Sequence, residues 1–462
     1  MERQGSAVVV GGGVAGLEAA RRIALAGCRV TLVDASGRLG GCVHTHEVAG
    51  IRLDAGAEAF ATAASSRGRG AAEELILELG LHDRMVRPNA AGAWVRHEGG
   101  IDPLPGRSLL GIPSRPDDDR CRAILGPDGA RRAMMDHDLA GDVGADAASV
   151  GELVRTRMGD AVLRRLVEPV ATGVYNTDPF QLPLARVAPQ LVDEMRAAGS
   201  LSEAVSRVRD GDAPGSAVAT LADGMGALVT AMRRAAIDAG VTIELSRPVD
   251  RLAPEKGGWT VAAASWATRA DRVVAAVPGE ALSRLLGPLL GPGARASWPS
   301  TDIAVVTLVV DQPALDDAPR GSGVLVSGHV PGVRARALTH VTAKWRHVAA
   351  AAGPGRHVLR LSYRLGASGP GGRANGDAAA ADLHVLAVHD AAALTGCDLP
   401  PTRLVAARVQ RFRVPRLSLA GGEPETALSD LPGIAVTGSA VAGSGLAAVI
   451  RHARGTAARL IA

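Results

Sequence analysis

The first 34 residues restrict the fold more than any other part of the chain. Ser6–Val10 is a short, continuously apolar run, as expected for a strand buried on both faces. The next residues, Gly11-Gly12-Gly13-Val14-Ala15-Gly16, match the pattern G-x-G-x-x-G, and a helix is predicted over 17–26. A second apolar strand then ends at Asp34. Strand, glycine loop, helix, strand and acid in this order predict a βαβ unit that binds a dinucleotide.

Each residue of this pattern has a defined role in dinucleotide binding. Gly11 allows the tight turn, Gly13 lets the backbone approach a pyrophosphate, and Gly16 lets helix and strand pack closely. The free N–H groups at the start of the helix hold the phosphate charge. Asp34 can accept hydrogen bonds from both hydroxyls of an adenosine ribose, and an acid here disfavours the 2′-phosphate of NADP. A glycine-rich loop without a ligand is the alternative.

Size and composition exclude several functional classes. With 462 residues and 47% hydrophobic content, the chain is long enough for two or three domains with sizeable cores. The net charge of +4 is mild and no basic run contains interleaved aromatics, so nucleic-acid binding is not expected. The four cysteines are far apart in the sequence, which predicts neither a metal site nor a disulfide framework. Lysine occurs only at Lys256 and Lys344, so nearly all positive charge is arginine.

Three observations favour a cytoplasmic location. Free thiols together with a nucleotide-binding fold suggest a reducing compartment. The chain begins directly with a core strand, so no signal peptide is expected. It contains no apolar run of about 20 residues, the length that a transmembrane helix needs. Peripheral membrane contact, and the choice between a monomer and a homodimer, are left open by the sequence.

The residues after Asp34 distinguish between cofactors. Arg38-Leu39-Gly40-Gly41 comes first, and Asp54-Ala55-Gly56-Ala57-Glu58 follows a short hairpin. This segment resembles the FAD-binding segment of the amine oxidase-like flavoprotein superfamily, with its R-x-G-G and D-x-G-A-E elements. The resemblance implies that R-x-G-G continues the pyrophosphate cradle and that the Gly56-Ala57-Glu58 turn passes beside the isoalloxazine. It therefore implies non-covalent FAD rather than NAD.

The end of the chain completes the predicted cofactor site. Gly433 to Gly438 reads as a strand reaching a glycine turn, and Gly443-Ser444-Gly445-Leu446 opens a final helix over 447–460. The positive end of that helix would stabilise the negative charge that forms at the N1–C2=O locus of a reduced flavin. An ordinary C-terminal helix is the alternative. The candidate cofactor contacts are Gly11, Gly13, Val14, Ala15, Gly16, Asp34, Arg38, Gly40, Gly41, Gly56, Ala57, Val249, Gly438, Gly443, Gly445 and Leu446.

The order of predicted elements gives the domain organisation. We expect an α/β fold, α+β overall, with a Rossmann-like FAD-binding domain, a mixed-sheet substrate domain and an inserted helical lobe. The FAD-binding domain is discontinuous and is assigned to 1–90, 215–290 and 405–462. The substrate domain is assigned to 91–106 and 291–404, and the helical lobe to 107–214.

Several internal segments resemble one branch of the superfamily, the oxygen-dependent protoporphyrinogen and coproporphyrinogen oxidases of the actinobacterial kind. Gly173-Val174-Tyr175 followed by Asp178 resembles the G-V-Y-x-x-D turn of that branch, and Asp223-Gly224-Met225 and Thr339 to Trp345 match two later landmarks. The resemblance implies hydride transfer from a porphyrinogen meso carbon to flavin N5 with loss of a pyrrole proton. Reoxidation by O2 then gives H2O2. The implied partners are a small-molecule substrate, a tetrapyrrole or another reduced N-heterocycle, and O2.

The substrate side departs from the pattern of that branch. Ala63 and Ala64 stand where an arginine is usual, and Arg416-Leu417 stands where Gln-Tyr is expected. Two alternatives therefore stay open: a relative that oxidises another amine or reduced N-heterocycle in secondary metabolism, and a flavin-binding paralogue without turnover. Coproporphyrinogen III is favoured over protoporphyrinogen IX as substrate.

Several individual side chains are candidates for roles in the site. Glu58 is the one catalytic candidate, as a residue facing the flavin; a solvated turn residue is the alternative. Lys344 does not precede the long predicted strand from Thr301, which counts against a monoamine or polyamine oxidase. Covalent flavin attachment at a histidine is less favoured than an ordinary loop role. The arginines considered for substrate carboxylates, with a surface role as the alternative, are Arg67, Arg336 and Arg364.

Overall fold

The structure is a computed structural model. It describes residues 5–65, 68–209, 218–290, 298–328, 330–366, 380–417, 419 and 431–462. Two large sheets and a helical lobe make up this part of the chain. Among the described residues, no helix combines the length and apolar character needed to cross a bilayer.

The first sheet is parallel and lies at the centre of the dinucleotide-binding domain. Its strands in spatial order are Thr242–Glu244, Arg29–Val33, Ser6–Val10, Arg272–Ala275 and Ile434–Val436. Both faces are buried, as the unbroken apolar run at the start of the chain predicts. Three helices cover one face: Val14–Leu25, Gly226–Asp238 and Leu446–Ile461. On the other face lie the antiparallel strands Arg251–Glu255, Gly258–Ala263 and Trp266–Ala270 and the helix Gly279–Leu286.

The second sheet is mixed and has seven strands. In spatial order these are Gly100–Pro103, Trp94–His97, Gly323–Val326, Ala337–His340, Arg356–Leu365, Ser300–Asp311 and Leu404–Pro415. Trp94–His97 and Gly323–Val326 pair in parallel, and the other pairs are antiparallel. The helix Ala380–Thr395 covers one face, and the opposite face turns toward the dinucleotide-binding domain. The predicted α/β class, with a Rossmann-like domain and a mixed sheet, is confirmed.

The strand Leu404–Pro415 corrects one assigned boundary. It pairs with Ser300–Asp311 along its whole length, so it is the edge strand of the mixed sheet. Residues 405–415, which the order of predicted elements assigns to the FAD-binding domain, therefore belong to the mixed sheet. The residues of this strand alternate between partly buried and exposed, which does not indicate which of two sheets it joins.

In the sequence, the helical lobe lies after the strand Gly100–Pro103 of the mixed sheet and before the strand Thr242–Glu244 of the parallel sheet. Its helices are Asp119–Met134, Met135–Asp138, Val150–Met158, Asp160–Val162, Leu163–Val167, Glu168–Gly173, Pro179–Gln181, Leu184–Val187, Leu191–Ala198 and Leu201–Val208. Leu191–Ala198 and Leu201–Val208 are separate helices, because Gly199 has a φ of +85° and Ser200 caps the second helix by accepting from Glu203 N–H. Ser108–Leu109 and Ile112–Pro113 form a hairpin at its entrance.

Short elements connect these layers. The hairpin of Thr45–Val48 and Ile51–Asp54 packs against the mixed sheet through Val48, Ile51 and Leu53. The remaining strands are Phe60–Ala61, Ala63–Ser65, Gly68–Arg69, Met85–Val86 and Val218–Leu221. The remaining helices are Ala71–Glu78, His82–Arg84, Gly287–Leu289, Pro313–Leu315, Val341–Lys344, Arg346–Ala352, Pro401–Arg403 and Ser439–Ala442.

Candidate active site

The glycine loop has the geometry that close helix–strand packing requires. A Cβ on Gly16 would lie 1.8 Å from the carbonyl oxygen of Gly11, so no larger residue fits there. A Cβ on Gly13, by contrast, would meet no described atom within 4 Å. Gly13 precedes the first helix with extended backbone angles, and its carbonyl oxygen accepts the Leu17 N–H at 2.9 Å. The loop therefore leaves open space at the helix start, where a pyrophosphate fits.

The second glycine pair folds onto this loop. Gly40 N–H donates to the Gly12 carbonyl at 2.8 Å, and Gly13 and Gly40 form a parallel bridge. The Arg38 guanidinium donates to the Gly41 carbonyl at 3.0 Å. These contacts bring both glycine segments to one surface, as a cradle for a single pyrophosphate requires.

Asp34 lies at the end of the second strand beside the same loop. Its carboxylate accepts from Gly12 N–H at 2.5 Å and from Ser36 N–H at 2.7 Å. It therefore ties the loop to the strand end. Binding of an adenosine ribose by Asp34 stays a prediction.

The C-terminal segment also reaches the loop. A Cβ on Gly438 would lie 3.7 Å from the Ala15 side chain, and Leu446 packs in the same core as Val14 and Ala15. The final helix begins at Leu446, directly after Gly443-Ser444-Gly445. The structure thus brings the N- and C-terminal cofactor candidates together. Val249 differs, because it packs partly buried against the opposite face of the parallel sheet.

The turn of Gly56, Ala57 and Glu58, here called the flavin-side turn, lies between the two sheets. A Cβ on Gly56 would lie 2.1 Å from the Cys42 carbonyl oxygen and 3.4 Å from the ring of Phe412. Arg360 of the mixed sheet donates to the Ala55 carbonyl at 3.1 Å and also to the Gly56 carbonyl. The mixed sheet therefore holds the turn for which the family resemblance implies a position beside an isoalloxazine.

Glu58 is the centre of a buried ion cluster. Its Oε1 accepts from Lys344 Nζ at 2.6 Å and from the Trp345 indole at 3.1 Å, and its Oε2 accepts from Arg360 at 3.2 Å. Burial opposes ionisation of Glu58, but the charges of Lys344 and Arg360 outweigh it and lower the pKa of Glu58 to about 2. Glu58 is therefore a carboxylate throughout the physiological pH range, which suits it to hold charge rather than to exchange protons. Its predicted catalytic role stays a prediction.

The pKa of Asp54, at the start of the same segment, is shifted in the opposite direction from that of Glu58. Its Oδ1 accepts from the Thr45 hydroxyl at 2.6 Å and from Met225 N–H at 2.9 Å. Burial nevertheless raises the pKa of Asp54 from 3.8 to about 6. Folding therefore favours the protonated form of Asp54. Its contribution to the free energy of unfolding is fully present below the unfolded pKa and is lost as the pH rises through about 6.

This behaviour predicts a pH-dependent gain in stability for Asp54→Asn. The amide oxygen can accept both hydrogen bonds, since both donors reach one carboxylate oxygen. We expect the stability of the variant relative to wild type to rise by on the order of 2 kcal/mol between about pH 4.5 and about pH 7.5. Urea denaturation at both pH values measures this, and a difference that does not change with pH contradicts it.

Arginines gather where the mixed sheet meets the helical lobe. Arg336, Ser362 and Arg364 of the sheet line a cavity with Thr172 and Asn176 of the lobe. Burial, together with the charges of Arg416 and Arg336, lowers the pKa of Arg364. These three arginines, here called the arginine cluster, outnumber the nearby carboxylates Asp178 and Glu168. Arg67, the third predicted candidate, lies outside the described residues.

Sequence reasoning missed Arg360, Phe412, Trp345 and Arg416. A signal for Arg360 was present, because Arg360, Ser362 and Arg364 alternate along one strand and so share a face. Arg360 contacts the flavin-side turn and Arg364 lies roughly 13 Å further along. The face between the turn and the arginine cluster is the candidate substrate surface. Among the described residues, no cluster of His, Cys, Asp or Glu is arranged to hold a metal.

Comparisons with known proteins agree with this geometry. The family model of flavin-containing amine oxidoreductases matches residues 14–461. A coproporphyrinogen III oxidase of Mycobacterium tuberculosis is 30% identical over 463 residues, which cover 96% of this chain and 94% of that protein. The coproporphyrinogen III oxidase of Bacillus subtilis is 26% identical over 76% of each chain.

Solved structures show the same fold. A protein from Exiguobacterium sp. 255-15, assigned as a protoporphyrinogen oxidase, superimposes with a TM-score of 0.81 at 24% identity and covers 100% of this chain and 99% of its own. The cyclohexylamine oxidase of Brevibacterium oxydans IH-35A gives a TM-score of 0.65 at 15% identity, covering 99% of this chain and 98% of its own. Since the family model spans nearly the whole chain, the protein belongs to the flavin-containing amine oxidoreductase family and is a flavin-dependent oxidoreductase.

Proposed function

We propose that this protein is an FAD-dependent porphyrinogen oxidase. Its preferred substrate is coproporphyrinogen III rather than protoporphyrinogen IX, O2 is the electron acceptor and H2O2 is released. FAD binds non-covalently, and the enzyme acts in the cytoplasm. The observation that carries the proposal is that one strand of the mixed sheet presents Arg360, which contacts the flavin-side turn, and Arg364, which lines a cavity with Arg336, on the same face.

This surface matches the chemistry of a porphyrinogen. Such a substrate has an apolar, reduced macrocycle with carboxylates at its rim. Phe412 offers an apolar surface beside the flavin-side turn, and the arginine cluster offers a positive rim. Charge-assisted pairs between guanidinium and carboxylate then orient the macrocycle. The net positive charge of the cluster favours the substrate with four carboxylates over one with two.

The residues of the chain supply placement rather than a nucleophile. A bound flavin supplies the acceptor for the hydride that leaves a meso carbon. The glycine cradle fixes the dinucleotide, and Arg360 fixes the flavin-side turn through two backbone carbonyls. Ion pairing with Lys344 and Arg360 keeps Glu58 ionised, whereas burial favours the neutral form of Asp54 only below about pH 6. The helical lobe contributes Thr172 and Asn176 to the cavity beside Arg336 and Arg364.

The departures at Arg416-Leu417 support a second candidate. Leu417 contacts the position of Gly443, where a Cβ would lie 2.8 Å from its side chain, so this replacement adjoins the cofactor helix. Such a change favours an altered substrate, an amine or another reduced N-heterocycle. A paralogue that binds flavin without turnover is the third alternative.

Anaerobic mixing with coproporphyrinogen III tests the proposal. We expect rapid bleaching of the flavin absorbance, followed by porphyrin fluorescence and peroxide when air is readmitted. Slower bleaching with protoporphyrinogen IX is expected as the comparison. Persistent flavin colour with both porphyrinogens would contradict the proposal, and bleaching by an amine or a non-tetrapyrrole heterocycle would favour the second candidate.

Arg364→Leu should separate the two porphyrinogens. We expect its KM for coproporphyrinogen III to rise about tenfold or more, since a charged hydrogen bond is lost, with a smaller rise for protoporphyrinogen IX. kcat should change little, because Arg364 is far from the flavin-side turn. Steady-state kinetics measure both constants, with the exposed Arg234→Leu as control. Equal rises in KM for the two substrates would assign the selectivity to other residues.

A further inference from the structure

The ion cluster at the flavin-side turn has unequal charges. Lys344 and Arg360 both pair with Glu58, so two positive charges meet one negative charge. The side chains are largely buried, with exposures of 22% for Lys344, 13% for Arg360 and 14% for Glu58. The three side chains therefore carry one net positive charge in a region where solvent screens weakly. The nearby Asp54, which interacts with Glu58 and Arg360 and has a pKa of about 6, offsets part of this charge at neutral pH, so each substitution below is judged by the single charge that it removes.

Lys344 is unusual in this chain. Only two of its 51 basic residues are lysines, so the composition that favours arginine elsewhere does not account for a lysine at this buried position. An ammonium is a compact point charge, whereas a guanidinium spreads its charge over a plane. Lys344 Nζ lies 5.0 Å from the centre of the Trp345 ring, and the indole N–H donates to the same carboxylate oxygen as Lys344. The charge is thus fixed in position.

Arg360 connects this charge to the backbone of the turn. Its guanidinium donates to the carbonyls of Ala55 and Gly56 while it pairs with Glu58. Any movement of the cluster relative to the turn would break these hydrogen bonds. The net positive charge therefore has a constant distance to whatever lies beside the turn.

We propose that Lys344, Glu58 and Arg360 are positioning residues that set the reduction potential of the bound flavin. The inference rests on the flavin of the proposed function, and it holds whichever substrate is oxidised. Reduction delivers two electrons and, at neutral pH, one proton to the ring, so the reduced ring carries one more negative charge than the oxidised ring. A fixed net positive charge stabilises that state and raises the potential. Glu58 moderates this effect by cancelling one of the two positive charges.

Two substitutions separate charge from structure. Glu58→Gln removes the negative charge and should favour reduction about tenfold or more, an upward shift of about 30 mV for a two-electron couple. Lys344→Met removes a positive charge and should disfavour reduction by a similar factor. Both substitutions break the same ion pair, so a merely structural role moves the potential in the same direction in both. Spectroelectrochemical titration of the purified flavoprotein, without substrate, measures the shifts.

Trp345→Phe is the matched control. It removes one hydrogen bond to Glu58 and changes no charge, so its potential should equal that of wild type. Shifts of the same sign in the two charge variants, or no shift in Glu58→Gln, would overturn the inference. If Lys344→Met does not retain flavin, the reduction potentials of Glu58→Gln and Trp345→Phe still test the inference, because only the first variant should differ from wild type. If the wild-type protein oxidises no porphyrinogen, the proposed function is contradicted. This inference still stands in that case, provided that the flavin potential rises in Glu58→Gln and falls in Lys344→Met.

Discussion

Gly13→Ala is expected to abolish tight flavin binding while leaving the fold of the apoprotein intact. Gly13 adopts a φ of −70° that alanine also adopts, and a Cβ there would contact no described atom within 4 Å. The added methyl would instead occupy the space where the pyrophosphate approaches the backbone. We expect the dissociation constant for FAD to rise about 100-fold or more, because the close contact and its hydrogen bonds are lost together.

Gly16→Ala provides the contrast. Its Cβ would lie 1.8 Å from the Gly11 carbonyl oxygen, so the loop and the first helix must separate. We expect this variant to lose both flavin binding and thermal stability, whereas Gly13→Ala loses only flavin binding. Isothermal titration of the apoproteins with FAD, together with their melting temperatures, separates the two effects. Wild-type affinity in Gly13→Ala would place the pyrophosphate elsewhere.

The contrast between these two glycines shows what the sequence makes predictable. The βαβ unit is local: strand, loop, helix and acid follow one another within 34 residues, and each follows the periodicity of its element. The role of Gly16 depends on its contact with Gly11 inside this unit, whereas a Cβ on Gly11 would meet the Ala276 carbonyl, directly after the later strand Arg272–Ala275. Because the unit is local, the sequence predicts the cradle in detail, and the structure places its two glycine pairs together.

The ion cluster could not be predicted in the same way. Glu58 is separated from Lys344 by 286 positions and from Arg360 by 302. Nothing in the local pattern of either segment indicates that they meet, because the contact depends on how the mixed sheet docks on the dinucleotide-binding domain. The rarity of lysine draws attention to Lys344, and the spacing of the arginines along Arg356–Leu365 draws attention to Arg360. Neither feature indicates that these residues pair with Glu58.

The strand Leu404–Pro415 shows a related limit. Its position in the sequence favours assignment to the FAD-binding domain, yet its partner Ser300–Asp311 lies about 100 residues earlier. Assigning it to the nearer domain in sequence put Phe412 and Gln410 with the wrong sheet. Their side chains share the face that contacts the dinucleotide-binding domain, where Gln410 donates to His46 or accepts from it at 2.9 Å. Pairing at long range, rather than local preference, decides which residues form the substrate surface.

Arg157→Met is expected to destabilise the helical lobe by about 3–5 kcal/mol. Arg157 and Asp136 are both fully buried, with 2.5 Å between the guanidinium Nε and the carboxylate. Arg157 also donates to the carbonyls of Ala140 and Gly199. Removing it leaves the charge of Asp136 buried, although Ser202 still donates to it through its N–H and hydroxyl.

This pair bears on the proposed function because it lies in the lobe that contributes Thr172 and Asn176 to the cavity beside Arg336 and Arg364. The Asp136 carboxylate accepts hydrogen bonds from the first N–H groups of the helix Leu201–Val208. It also pairs with Arg157, which lies in the last turn of the helix Val150–Met158. Denaturation measures the loss, and Arg131→Met, which breaks an exposed pair with Asp128 in the same lobe, should show no measurable change. The double variant Asp136→Asn/Arg157→Met should recover part of the loss, because no unpaired charge is left buried. If Arg157→Met is as stable as Arg131→Met, the buried pair does not hold the lobe, and the fold of the lobe must depend on its apolar core alone.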